Sequence, residues 1–71
     1  MITINTKDFA GLQPAERAQY RAAVNFLFRA TKTDNLAEKK RLLNNALYHL
    51  QEVNDVERVK LLKDEIASFE S

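Results

Sequence analysis

The chain has no cysteine and only one glycine and one proline among its 71 residues. The absence of cysteine excludes disulfide bonds and thiolate metal sites. A single glycine excludes a glycine-rich phosphate loop, and so few turn-forming residues argue against an all-β fold. The composition therefore favours helices, and the length allows one domain, residues 1–71, with one core.

Long apolar runs are also absent. No stretch approaches the roughly 20 apolar residues of a transmembrane helix, and residues 1–20 lack the apolar centre of a signal peptide. With 45% hydrophobic and 30% charged residues, the composition is that of a folded chain rather than a disordered one. We therefore predict a complete, small cytoplasmic protein that does not bind a membrane.

Three stretches have the apolar spacing of helices. The middle one, residues 35–53, has a broad apolar face and is predicted to be the centre of the fold. A first helix is predicted over residues 14–32, because Pro14 is favoured at the first helical position, and a third over residues 55–69. The positions predicted to face the core are Tyr20, Ala23, Val24, Leu27 and Thr31 in the first helix, Leu36, Leu42, Leu43, Ala46, Leu47, Leu50 and Val53 in the second, and Val59, Leu62, Ile66 and Phe69 in the third.

A break at Asn54-Asp55 separates the last two helices in this prediction. On one unbroken helix, the apolar stripe of residues 55–69 would point about 150° away from that of residues 35–53. A break lets both stripes share one core, with Asn54 in the left-handed conformation and Asp55 capping the next helix. We therefore predict an all-α fold, a small antiparallel three-helix bundle. The alternative is one long helix whose halves pack on different partners, as in a dimer.

Residues 1–13 are predicted to form an arm and a connector. Ile2 and Ile4 alternate with polar residues, which indicates a short extended segment. This arm packs on its own bundle or, alternatively, on a partner. Gly11 is predicted to end a turn in the connector, since it adopts a positive φ without strain.

The sequence offers little for catalysis. His49 is the only histidine, so the chain has no HxxxH pair that would indicate a metal site. We interpret it as a structural histidine at the edge of the second helix's apolar stripe. The acidic runs lack the loop spacing of cation sites. We predict that the chain is not an enzyme and uses no metal or cofactor.

Charge is distributed unevenly along the chain. Residues 1–41 contain eight Lys/Arg and four Asp/Glu, whereas residues 42–71 contain three and six. Such an electrically two-ended molecule can steer a partner or a second copy of itself. The alternative is that these charges only solvate the outer faces of the helices.

Some apolar residues fall outside the predicted core. Tyr48 lies on the polar face of the second helix, Phe26 lies about 100° from the centre of the first helix's stripe, and Leu61 lies opposite the third. Because Tyr and Arg often anchor interfaces, we predict an interaction module (an adaptor, inhibitor or assembly factor) that binds a protein partner through a helix face. The wide apolar arc of the first helix makes a homodimer a further candidate. The predicted binding residues are Tyr48, Arg41, Asn44, Phe26, Arg21 and Arg29.

The alternative function is a nucleic-acid-binding regulator that uses the basic face of the first two helices. Lys39-Lys40-Arg41 would contact phosphates, and nearby aromatic residues would contact bases. The net charge of only +1 argues against it, because phosphate binding normally needs a clearly basic domain.

One predicted hairpin is loosely similar to the three-helix microtubule-interacting-and-transport domain. The similarity covers Ala30, Asp34-Asn35-Leu36, Leu43 and Ala46, whereas Lys39 stands where that pattern has a small residue. The resemblance implies only that such a hairpin can serve as a peptide-binding scaffold, and it assigns no site residues. The tetratricopeptide pattern does not fit, because the break at residues 33–35 falls in the wrong place.

Overall fold

The computed structural model describes residues 11–69, which form three α-helices. The predicted all-α, three-helix fold is confirmed, and each helix begins and ends within one residue of its predicted position. The predicted arm, with Ile2 and Ile4, lies outside the described residues. The helices are α1 (Pro14–Lys32), α2 (Leu36–Glu52) and α3 (Val56–Ser68).

The helix α2 is the centre of the fold, because α1 and α3 both pack mainly on it. The connections at residues 33–35 and 53–55 are short, so neighbouring helices run antiparallel. Alanines line the α1–α2 contact, and their small side chains let the two helices approach closely. The buried core consists of Ala23, Leu27 and Ala30 from α1, Leu42, Leu43, Ala46 and Leu50 from α2, and Leu62 from α3.

Some predicted core positions are not buried. Leu36 is 51% exposed, because it is the first residue of α2 and the packed part of that helix begins later. Thr31 is exposed, and its hydroxyl donates to the Phe28 carbonyl oxygen at 2.6 Å, within its own helix. Gly11 does not adopt the positive φ predicted for it. Leu36 and Thr31 lie at helix ends, where periodicity alone does not determine burial, and Gly11 lies in the connector before α1.

The predicted break between α2 and α3 is confirmed at Asn54, which has a φ of 56°. Its amide donates to the Gln51 carbonyl oxygen at 3.0 Å, and the Asp55 amide donates to that of Leu50 at 3.2 Å. The Asp55 carboxylate then caps α3 by accepting from the Arg58 amide at 3.1 Å. The chain therefore reverses at an asparagine that tolerates the left-handed conformation and an aspartate that begins the next helix.

Asp55 also links α1 to this corner. The Tyr20 hydroxyl donates to Asp55 Oδ2 at 2.6 Å, and Arg58 Nη1 lies 2.7 Å from the same oxygen. Burial, together with the hydrogen bond to Asp55 and its negative charge, raises the pKa of Tyr20 to about 12. Burial alone would raise the pKa of Asp55, but the hydrogen bonds from Tyr20 and Arg58 and the positive charge of Arg58 outweigh it and lower that pKa. These three residues form the Tyr20–Asp55–Arg58 cluster, in which the ionised form of Asp55 is favoured.

The described helices are not membrane spans. None of them combines the length and apolar character needed to cross a bilayer.

Candidate protein-binding surface

Three rings from two helices form a continuous row on one side of the α1–α2 hairpin. Phe26 of α1 stacks on His49 of α2, with ring centroids 5.7 Å apart and an angle of 12° between the planes. Tyr48 meets His49 edge to face at a centroid distance of 5.3 Å. We call Phe26, His49 and Tyr48 the aromatic row. The Arg29 guanidinium lies 5.8 Å from the Phe26 ring centroid and extends the row along α1.

The row forms because its members lie on the facing flanks of the two helices. Gln19 and Phe26 are seven residues apart, so they lie on the same side of α1. His49, which is half-buried, reaches between them: its Nδ1 lies 2.6 Å from Gln19 Oε1. Because an amide oxygen is only an acceptor, Nδ1 carries the hydrogen in this pair. The hydrogen bond fixes the orientation of the imidazole between the two other rings.

Phe26 is better packed than its sequence position predicts. It was predicted to lie outside the core, but it is half-buried and packs against the core cluster. Its off-stripe position on α1 is explained by its contact with His49, which lies on the flank of α2. Phe26 is thus the inner, fixed end of the aromatic row.

Tyr48 is the outer end of the row. Its side chain is 56% exposed. A hydrogen bond from its hydroxyl to the Glu52 carboxylate, and the charge of that carboxylate, raise the pKa of Tyr48. The ring therefore presents an apolar surface to solvent while its inner side contacts His49.

The other predicted residues of α2 lie near Tyr48 on the outer face. Arg41 is exposed and precedes Tyr48 by two helical turns, which places both on one line. Asn44 is one turn from Tyr48 and is also exposed, but its amide nitrogen donates to the Lys40 carbonyl oxygen at 2.9 Å. Arg41 thus extends the surface, while one end of Asn44 is engaged by its own helix.

Arg21 lies elsewhere. It precedes Phe26 by five residues, which places it about 140° around α1 from the row. It lines a separate shallow depression with Pro14, Arg17 and Ala18. The structure therefore brings together Phe26 and Tyr48, with Arg29 and Arg41 beside them, and leaves Arg21 apart.

Two members of this surface were missed from the sequence. His49 joins the two predicted aromatic anchors, and Gln19 orients it. The seven-residue spacing of Gln19 and Phe26 was a usable signal, since it places a polar and an aromatic residue on one flank. Which residue of α2 meets that flank depends on how the two helices are aligned.

Other exposed apolar side chains are not part of the row. Phe28 is 61% exposed, and the Lys32 ammonium lies 5.0 Å from its ring centroid. Leu61 is 49% exposed on α3, as predicted. Val56 is 77% exposed and lines a small depression at the α2–α3 corner with Gln51, Asn54 and Val59. Within residues 11–69, no ring stacking joins Phe28 to the aromatic row.

Within residues 11–69, no group of three or more His, Cys, Asp or Glu side chains is placed to hold a metal ion. No family model matches the chain, and no curated protein or solved structure matches it either.

Proposed function

We propose that this protein is an interaction module that binds another protein through the aromatic row, with Arg29 and Arg41 at its edge. The observation that carries the proposal is the continuity of the row. Residues from two helices meet in one surface, and its outer member, Tyr48, is 56% exposed. Isolated exposed aromatic residues are common on protein surfaces, but a connected set with an adjacent arginine has the composition of an interface anchor.

The side chains of the row already contact one another in the absence of a partner. Immobilising a flexible side chain in an interface costs about 0.5–1.5 kcal/mol. Here Gln19 holds His49, while His49 contacts both Phe26 and Tyr48. Much of that ordering cost is met within the folded protein, so contacts made with the row contribute more of their energy to affinity.

Binding to nucleic acid has less support from this surface. The carboxylate of Glu52 lies close enough to the Tyr48 hydroxyl to raise the pKa of Tyr48. A phosphate backbone that followed the row would pass this negative charge, which opposes the electrostatic attraction on which such binding depends. We therefore favour a protein partner.

The proposal is tested by affinity capture from an extract of the native cell, with captured proteins identified by mass spectrometry. The wild type is compared with Tyr48→Ala and with Phe28→Ala, a matched control because Phe28 is an exposed aromatic residue away from the row. We expect Tyr48→Ala to abolish the capture of a specific protein that Phe28→Ala retains. Identical captured sets from all three proteins would contradict the proposal.

A further inference from the structure

The aromatic row has opposite charges at its two ends. On α2, Arg41 precedes Tyr48 by about 10 Å along the helix axis, and Glu52 follows it by about 6 Å. Arg29 lies near the C-terminal end of α1, so in an antiparallel hairpin it is at the same end as Arg41. The surface is therefore positive near the α1–α2 connection, aromatic in the middle and negative beyond Tyr48.

Helix stability accounts for the basic residues of α1 at this end, because Arg29 and Lys32 lie in its last turn, where the helix dipole favours cations. It does not account for Arg41. Residues 29–41 contain five Lys/Arg and two Asp/Glu. Arg41 lies in the second turn of α2, near the N-terminal end, where the helix dipole gives a cation no stabilisation. Arg41 is exposed and so contributes little packing. A basic residue at this position is better explained by an external negative charge than by the fold.

We infer that the aromatic row binds an acidic helical segment of a partner protein, whose carboxylates face Arg29 and Arg41 while an apolar side chain covers the ring of Tyr48. This inference rests on the function proposed above and specifies the chemistry of the partner. The order of the charges along the surface also predicts how far apart the matching residues of the bound helix lie. Because Arg41 and Tyr48 are two turns apart, the acidic and apolar residues of the bound helix are also about two turns apart.

A protein segment fits this order better than a nucleic acid does. A peptide can carry its negative charges at one end only, and it can leave a neutral or basic residue beside Glu52. A nucleic acid carries a phosphate at every nucleotide and cannot avoid Glu52 while it follows the row. A localised negative charge is therefore the feature that the partner must have.

The inference is tested with a displayed library of helical peptides whose exposed positions are randomised, selected on the immobilised protein. We expect enriched peptides to carry Asp or Glu about two turns from an aromatic or aliphatic residue. The charge-reversed variant Arg29→Glu/Arg41→Glu should instead select Lys or Arg at the acidic positions. A synthetic peptide from the first selection should bind the charge-reversed variant at least ten times more weakly by fluorescence anisotropy.

The control is Arg21→Glu/Lys60→Glu, which changes the net charge equally at two exposed residues apart from the row. It should retain the acidic peptides with less than a threefold loss of affinity. Circular dichroism melts of all variants establish that each is folded before binding is compared.

Different outcomes separate the inference from the proposed function. If selected peptides bind Tyr48→Ala as well as the wild type, both the inference and the proposed function fail. If binding requires Tyr48 but acidic residues are not enriched, only the inference fails. Tighter, salt-sensitive binding of a 20-nucleotide single strand would favour nucleic acid instead. A dimer in sedimentation that Tyr48→Ala dissociates would place a second copy on the row, and it too would overturn the inference.

Discussion

Replacing Asp55 with asparagine removes the negative charge from the Tyr20–Asp55–Arg58 cluster but keeps a side chain that can cap α3. The hydroxyl of Tyr20 and the guanidinium of Arg58 lie 2.6 and 2.7 Å from Asp55 Oδ2. In the variant, both would bond a neutral amide instead of a carboxylate. Since hydrogen bonds to charged groups contribute about 1 kcal/mol more than neutral ones, we expect Asp55→Asn to lose about 1–2 kcal/mol at pH 7.

The assay is urea unfolding followed by circular dichroism across a pH series. A loss of this size in a domain of this length also lowers the melting temperature by about 4–16 °C. The pKa of Asp55 is lowered on folding. Its contribution is therefore fully present above the ordinary value of 3.8 and is lost as the pH falls through the folded value. Below that, Asp55 is neutral and the wild type should approach Asp55→Asn in stability.

The control for this experiment is Asp64→Asn, because Asp64 is an exposed aspartate of α3 outside the cluster. Its stability should follow that of the wild type within about 0.5 kcal/mol at every pH. The reasoning is refuted if Asp55→Asn matches the wild type at pH 7. It is also refuted if the difference between them persists unchanged at pH 2, since the charge of Asp55 would then not be its source.

Three further outcomes are expected from the fold. Because the pKa of Tyr20 is raised to about 12, its contribution to stability is complete below pH 10 and is lost as the pH approaches 12. In a pH series of urea unfolding, the stability of Tyr20→Phe should therefore not show this decrease between pH 10 and 12. In the same assay, Leu62→Ala should lower the free energy of unfolding by about 2–5 kcal/mol, because Leu62 is 0% exposed. Leu61→Ala should lower it by less than about 1 kcal/mol, because Leu61 is 49% exposed. Asn54→Ala should lower the melting temperature because alanine resists the φ of 56°, whereas Asn54→Gly should not; equal melting temperatures for the two would contradict the role given to this turn.

The fold was largely predictable because the phase of the apolar residues carries the required information. A continuous helix through Asn54 would have pointed two apolar stripes apart, and the break at that residue follows from the need for one core. Leu36 was predicted wrongly for a related reason. Helical periodicity identifies the inward direction but not how far along the helix its neighbours extend.

The candidate surface was predictable only in parts. Tyr48 and Phe26 each stood out against their own helix, but their connection through His49 depends on the alignment and rotation of α1 against α2. Neither quantity is contained in the periodicity of a single helix. Arg21 and Arg29 share the outer ridge of α1 in sequence, yet only Arg29 contacts Phe26. Choosing between them required the position of the second helix.

The unequal division of the core has a consequence for motion. Among the described residues, seven of the eight buried side chains belong to α1 and α2, and only Leu62 belongs to α3. We therefore expect α3 to open before the hairpin does, with its amides exchanging with solvent faster than those in the middle of α2. The aromatic row lies entirely on the hairpin. A partner bound there would protect the hairpin amides directly, while the opening of α3 would still report on the contacts that hold this helix, Leu62 and the Tyr20–Asp55–Arg58 cluster among them.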